Sequence, residues 1–277
     1  MKIYKNVSKV IIVLISYCCV ACSQSALDKL VILHTNDTHS QVEPLEVGKR
    51  DSNYGGYARR MGLIRQIREA NPNILLFDAG DFSQGTPYFN FFKGRIEVDA
   101  MNRMGYDAVM LGNHEFDNGV DTLAAALRNA NFAVVCTNYD VSGSSLEGIV
   151  KPYVVLRREN LRIGVLGIGI NPAGLIFERN FTPLVYLDPI EVAQKTADML
   201  KYNEYCDVIV CLSHQGTYQA DTKLAQSTRN IDIIIGAHTH KIVTNHYVLN
   251  LDGDSVFLAQ MGKAGARIGK IEIEIAE

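Results

Sequence analysis

Apolar positions along this chain follow two rhythms. In the first, short runs are apolar at nearly every position and rich in β-branched residues, at 30–34, 74–79, 108–111, 133–136, 208–212 and 231–236. Runs this short and this continuous read as strands covered on both faces. Further strands are predicted at 153–157, 162–167, 256–260 and 268–275. In the second rhythm, Ala58, Met61, Leu63, Ile64 and Ile67 fall at near-helical spacing across Tyr57–Ala70, and Asn71-Pro72-Asn73 stops that helix. Helices are also predicted at 87–104, at 121–129 with Asp121 as N-cap, and at 189–203 with Pro189 in the first turn. Segments 141–150 and 171–182 carry Gly, Pro, Ser and Asn without periodicity and read as loops near a site mouth. Strand–helix alternation gives way to a strand-rich second half. That pattern predicts an α/β fold of two packed sheets with helices outside.

The first 21 residues break this pattern. Lys2, Lys5 and Lys9 precede an apolar core from Val10 to Tyr17, and Ala21-Cys22-Ser23 closes it. About a dozen apolar residues fall short of the ~20 that a membrane helix needs, so the segment reads as an export signal. Cys19-Val20-Ala21 before Cys22 resembles a bacterial lipoprotein cleavage box, although position 19 is usually Leu, Val or Ile. The expected organisation is a signal peptide at 1–21, a lipid anchor at Cys22, a tether over 22–29 and one domain over 30–277. The expected location is the periplasm or cell envelope. Cys136, Cys206 and Cys211 remain after Cys22 and make no disulfide framework. Cys211, inside an apolar run, reads as a small buried hydrophobe. A net charge of −3 gives no electrostatic case for binding long nucleic acids.

The candidate chemistry sits where the strands end. Asn36-Asp37-Thr38-His39, Gly80-Asp81, Gly112-Asn113-His114-Glu115, Asp117, Ser213-His214 and His238-Thr239-His240 each follow an apolar run. Open α/β sheets bind ligands at the carboxyl ends of their strands. Carboxylate, imidazole and amide ligands suit borderline divalent ions such as manganese, zinc, iron or cobalt. Two such ions with a shared carboxylate are a standard device for attacking phosphate esters. Asp37 and His39, like His238 and His240, are two residues apart. On a strand they would project to the same side and could chelate one ion.

These residues resemble the calcineurin-like metallophosphoesterases, and within them the 5′-nucleotidase branch. The resemblance rests on Ile32 to His39, Gly55-Gly56-Tyr57-Ala58-Arg59, Asp78-Ala79-Gly80-Asp81, Gln84-Gly85-Thr86 and Met101-Asn102. It continues through Gly105-Tyr106-Asp107-Ala108, Gly112 to Asp117, Ser213-His214-Gln215-Gly216 and Gly236 to His240. It implies a four-layer α/β/β/α sandwich of two mixed sheets flanked by helices. It also implies a first metal held by Asp37, His39, Asp81 and His240, and a second held by Asp81, Asn113, His214 and His238. Asp81 would bridge the two. His114 would contact the phosphoryl group and assist the leaving oxygen, and Asp117 would orient His114. The implied substrate is a small phosphate monoester of the nucleotide type. The alternatives are a phosphodiesterase, a broad-specificity phosphatase or a non-catalytic lipoprotein binding module on the same fold.

Other residues are expected to be structural. Glu115 reads as a loop or cap residue, Asp78 should point away from the metals, His34 should be packed within its strand, and His246 should lie at the surface. Tyr88-Phe89-Asn90-Phe91-Phe92 reads as core packing. The resembled family carries a second domain that recognises the nucleoside, and no matching stretch follows residue 275 here. A separate polypeptide supplying that domain is the candidate partner.

Overall fold

A computed structural model describes residues 29–46, 51–216 and 218–274. The expected signal peptide, Cys22, nearly all of the tether and Ile275 lie outside the described residues. Fourteen strands are formed among those described: β1 (Lys29–Thr35), β2 (Leu75–Asp78), β3 (Ala108–Met110), β4 (Ala133–Val135), β5 (Tyr139–Asp140), β6 (Val150–Lys151) and β7 (Tyr153–Arg158), then β8 (Leu161–Ile168), β9 (Val185–Tyr186), β10 (Val208–Ser213), β11 (Ile233–Gly236), β12 (Ile242–Leu249), β13 (Ser255–Met261) and β14 (Gly269–Glu274). One sheet has the order β14-β1-β2-β3-β4-β6 and the other β12-β13-β11-β10-β8-β7, while β5 and β9 form a separate pair. β1, β2, β3, β4 and β6 run parallel, with β14 antiparallel on β1. In the second sheet β8, β10, β11 and β13 run parallel between the antiparallel edges β7 and β12. Both sheets are therefore mixed and flanked by helices, the α/β architecture expected.

The continuous apolar strands are explained by burial on both faces. In β10, Val208, Val210 and Leu212 join the core that also contains β1 and β2, while Ile209 and Cys211 pack with Ala193, Ala197, Leu200, Leu224 and Ala225 of the outer helices. Successive side chains point to opposite faces, so one strand serves two layers. Register brings the carboxyl ends level: Thr35 faces Asp78 and Ser213 faces Gly236.

Several local expectations are corrected. The helix expected at 87–104 is two, Pro87–Phe92 and Arg95–Met104, because Lys93 (φ 55°) and Gly94 (φ 89°) turn left-handed between them. The aromatic run therefore buries only Phe89, and Phe91 stands 77% exposed. Asp121 is not an N-cap: the helix is Val120–Leu127 after Gly119, and Asp121 lies in its first turn. The Pro189–Asp198 helix is capped by Asp188, which accepts from the Ile190 and Glu191 N–H groups, and it passes into a π-type turn over Met199–Asn203. β12 and the helix Tyr218–Gln226 have no counterpart among the predicted elements. The segments read as loops contain the short helix Glu178–Phe181 and the start of β6. Lys29, assigned to the tether, opens β1. No helix among the described residues is long and apolar enough to cross a membrane.

Candidate metal centre

Asp37 and His39 follow β1, Asp81 follows β2, Asn113 follows β3, His214 follows β10, and His238 and His240 follow β11. The two sheets thus aim their carboxyl ends at one point. The alternation argument for Asp37 and His39 is corrected here. Both lie beyond the strand in left-handed backbone, as do Asp81, His238 and His240, with φ values of 49°, 47°, 56°, 68° and 56° in that order. Such conformations cost of order 1–2 kcal/mol each and persist only where the surroundings enforce them. For Asp37 and His39 the backbone enforces them. The Asp37 N–H donates to Gly80 O (2.9 Å), His39 N–H to Asp81 O (3.0 Å) and Ala264 N–H to Asp37 O (2.7 Å). Asn36, given no role from sequence, ties the first loop to the second sheet: its amide donates to Gly262 O and its carbonyl accepts from Met261 N–H.

The ligating atoms converge in two triads, Asp37–His39–His240 and Asp81–His214–His238, each within 4.8 Å. The His238 Nδ1 lies 2.9 Å from Asn113 Oδ1, which brings Asn113 to the second triad. The His238 N–H donates to both Asp37 oxygens at 2.9 and 3.0 Å, joining the two triads. The donor chemistry fits cations. His214 donates from Nδ1 to Ala79 O at 2.9 Å, which turns Nε2 toward Asp81 Oδ2 at 3.1 Å. The Nε2 atoms of His39 and His240 face each other at 3.0 Å. A positive ion between such facing atoms satisfies them together.

The charge balance agrees. Burial raises the Asp37 carboxyl to about 7. Burial would also raise Asp81, but the charge and hydrogen bond of His214 hold it below the usual carboxylate range. Burial would lower His214, but Asp81 lifts it to about 10, so a proton offsets the carboxylate that a metal would neutralise. Burial lowers His39 and His238, and burial together with His39 takes His240 to about 4, leaving neutral imidazoles fit to ligate.

His114 lies in neither triad. Its ring stands 5.5 Å from that of His39, and its Nδ1 lies 3.0 Å from Asp117 Oδ2. That hydrogen bond raises the imidazole pKa. The 171–182 segment reaches this pair, since the Asn180 amide donates to Asp117 O at 2.9 Å. Asp78 accepts from Thr35 Oγ1 and from the Gly80 N–H and lies outside both triads. His34 is buried with its Nδ1 unpartnered, and His246 packs edge-on against Tyr218. Glu115 is no loose loop residue. It is 3% exposed and accepts from the N–H groups of Asp81, Ser83 and Gly112. Its position directly after His114 is visible in sequence, but its partners are not.

The chain is similar to known proteins. The chain is 39% identical to a snake venom 5′-nucleotidase of Naja atra over 76% of its length and 41% of the relative's. It is 35% identical to a 5′-nucleotidase of Homo sapiens over 90% of its length and 47% of the relative's. The solved structure of a 5′-nucleotidase precursor from Thermus thermophilus superposes with a TM-score of 0.81 at 34% identity, covering 90% of this chain and 52% of that one. The chain spans less than half the length of these curated relatives. The calcineurin-like phosphoesterase profile matches residues 30–242, a span that holds both triads, Asn113 and the His114–Asp117 pair, and the chain belongs to that family.

Proposed function

We propose that this chain is a two-metal phosphohydrolase that cleaves phosphate monoesters of the nucleotide class. The observation that carries the reading is the pair of joined carboxylate–imidazole triads beside a carboxylate-held histidine. Asp37, His39, Asp81 and His240 hold one ion, and Asp81, Asn113, His214 and His238 the other. Asp81 would be the ligand shared between them. Two ions held there would offset the phosphoryl charge and, by lowering the pKa of a water, supply a nucleophile at neutral pH. His114, whose imidazole pKa is raised by the Asp117 hydrogen bond, contacts the phosphoryl oxygens and gives a proton to the leaving oxygen. Asp117 fixes which ring nitrogen faces the substrate. The donor set admits manganese, zinc, iron or cobalt.

The test is kcat/KM for an aryl phosphate and a nucleoside monophosphate, with the chelated protein reloaded with manganese, zinc, iron or cobalt in turn. Activity restored by metal supports the reading, and no turnover with any of the four ions refutes it. Contacts to phosphate are common to every ester, so the two substrates should differ within about tenfold, or roughly 1.4 kcal/mol. A separate polypeptide resembling the relatives' remaining half would add nucleoside recognition and raise nucleotide turnover selectively. Strong nucleotide preference by the chain alone would refute that part.

Export to the cell envelope with a lipid on Cys22 is supported by the N-terminal charge and apolar pattern. Labelled palmitate should enter the wild type and not Cys22→Ser. Equal labelling of both would refute it.

A further inference from the structure

Glu115 occupies the short 3₁₀ turn His114–Phe116, one residue from the proposed proton donor. Its side chain is buried. Oε2 accepts from Gly112 N–H at 2.6 Å and Asp81 N–H at 2.9 Å, and Oε1 accepts from Ser83 N–H at 2.9 Å. Two of those donors belong to the loop after β2 and one to the loop after β3. The tie is reciprocal, because the His114 N–H donates to Asp81 Oδ1 at 2.9 Å. Each loop thus sends a carboxylate to the other's backbone, and the left-handed Asp81 (φ 56°) sits inside the double tie.

A buried carboxylate is costly unless its lone pairs are used, and charge-assisted bonds to backbone N–H groups are about twice as strong as neutral ones. Burial and the Asp81 charge raise the Glu115 carboxyl to about 7, and the backbone N–H donors oppose that shift by using its lone pairs. Glu115 belongs to neither triad. Its influence on the site therefore runs through backbone. The residues it fixes are the ones that must keep register: Asp81, shared by both ions in the proposed centre, and the 112–114 loop carrying Asn113 and His114.

We propose that Glu115 is a positioning residue that locks the Asp81 loop to the Asn113–His114 loop and so sets the spacing between the metal pair and the His114 ring. The proposal rests on the two-metal reading of the site, and its experiment is read without substrate as well as with it.

The experiment combines Glu115→Gln, Glu115→Ala and amide exchange in the metal-free wild type. In Glu115→Gln one oxygen can still accept, but an NH₂ group meets a backbone N–H; in Glu115→Ala all three bonds are lost. Cobalt titration followed by visible absorption should show affinity falling in the order wild type, Gln, Ala, by about tenfold or more at the first step, with altered band intensities. Turnover should fall about 10- to 100-fold in Glu115→Gln with KM little changed, as expected for sub-ångström misplacement. Wild-type cobalt affinity, spectrum and kcat in a folded Glu115→Gln would overturn the proposal. In the wild type, the amides of Asp81, Ser83 and Gly112 should exchange far more slowly than those of exposed loops. Exchange at exposed-loop rates would overturn it even if neither variant folds. An inactive wild type that still shows the cobalt and exchange results would refute the phosphohydrolase reading and leave this one standing.

Discussion

A single methyl group placed on Gly112 should disable the centre. Gly112 follows β3, and its backbone is not left-handed, so Gly112→Ala adds no conformational strain of its own. Its effect is collision. The new Cβ would lie 2.6 Å from the Asp81 N and 2.7 Å from His214 Cε1, and closer still to Asp81 Oδ1. Ordinary contact begins at 3.4 Å, so the Asp81 backbone must retreat by roughly 0.8 Å. Neither neighbour is a flexible chain end: Asp81 N–H is held by Glu115 and the His214 ring by Ala79 O. Overpacking of this kind costs about 1–3 kcal/mol, equivalent in a chain of this size to a Tm lower by roughly 2–10 °C. The functional loss should be larger, since displacing a positioned group by about 1 Å can cost 10²-fold. Phosphate release, metal content and thermal unfolding in chelator measure the three effects. Gly62→Ala is the control: nothing lies within 4 Å of its Cβ, and in the helix Tyr57–Ala70 alanine should stabilise by up to about 1 kcal/mol. Gly112→Ala with wild-type kcat and metal content would refute the reasoning.

Asp81→Asn should lower the content of both metals and cost more activity than any other single ligand change, because this carboxylate is the shared ligand of the proposed centre; metal analysis showing two ions at saturation, or full activity, would count against it. His114→Ala should lower kcat by roughly 10²–10⁴-fold with metal content intact, and Asp117→Asn by less; an emptied metal site in His114→Ala would show that its role is different. His34 provides a pH prediction. Burial lowers its imidazole to about 4, against 6.5 ordinarily. The folded state therefore resists the proton, so the associated stability is complete above pH 6.5 and is lost as pH falls from there toward 4. Between pH 7 and 5 that is about 2 kcal/mol. Urea unfolding in chelator at both pH values should show a smaller loss in His34→Gln by that amount, and an identical loss would remove His34 from the account.

Much of the frame is legible in the amino-acid order alone. Strands buried on both faces are apolar at every position, so β1, β2, β10 and β11 stand out, and the polar blocks after them mark the carboxyl ends. β12 escapes because an antiparallel edge strand covered on one side carries a mixed pattern, here Ile242-Val243-Thr244-Asn245-His246-Tyr247. The break at Lys93-Gly94 escapes because the apolar spacing runs across it. Tertiary structure decides the centre itself. Asp37, His39, His238 and His240 meet because left-handed turns aim two loops from different sheets at one point, the first held by Gly80, Asp81 and Ala264 and the second by the His238 N–H on the Asp37 carboxylate. Strand periodicity stops at the strand's end and cannot describe those turns. Glu115 shows the same limit from the other side. Its partners are backbone N–H groups, which every residue but proline possesses, so no side-chain pattern could announce the bonds that hold the loops together.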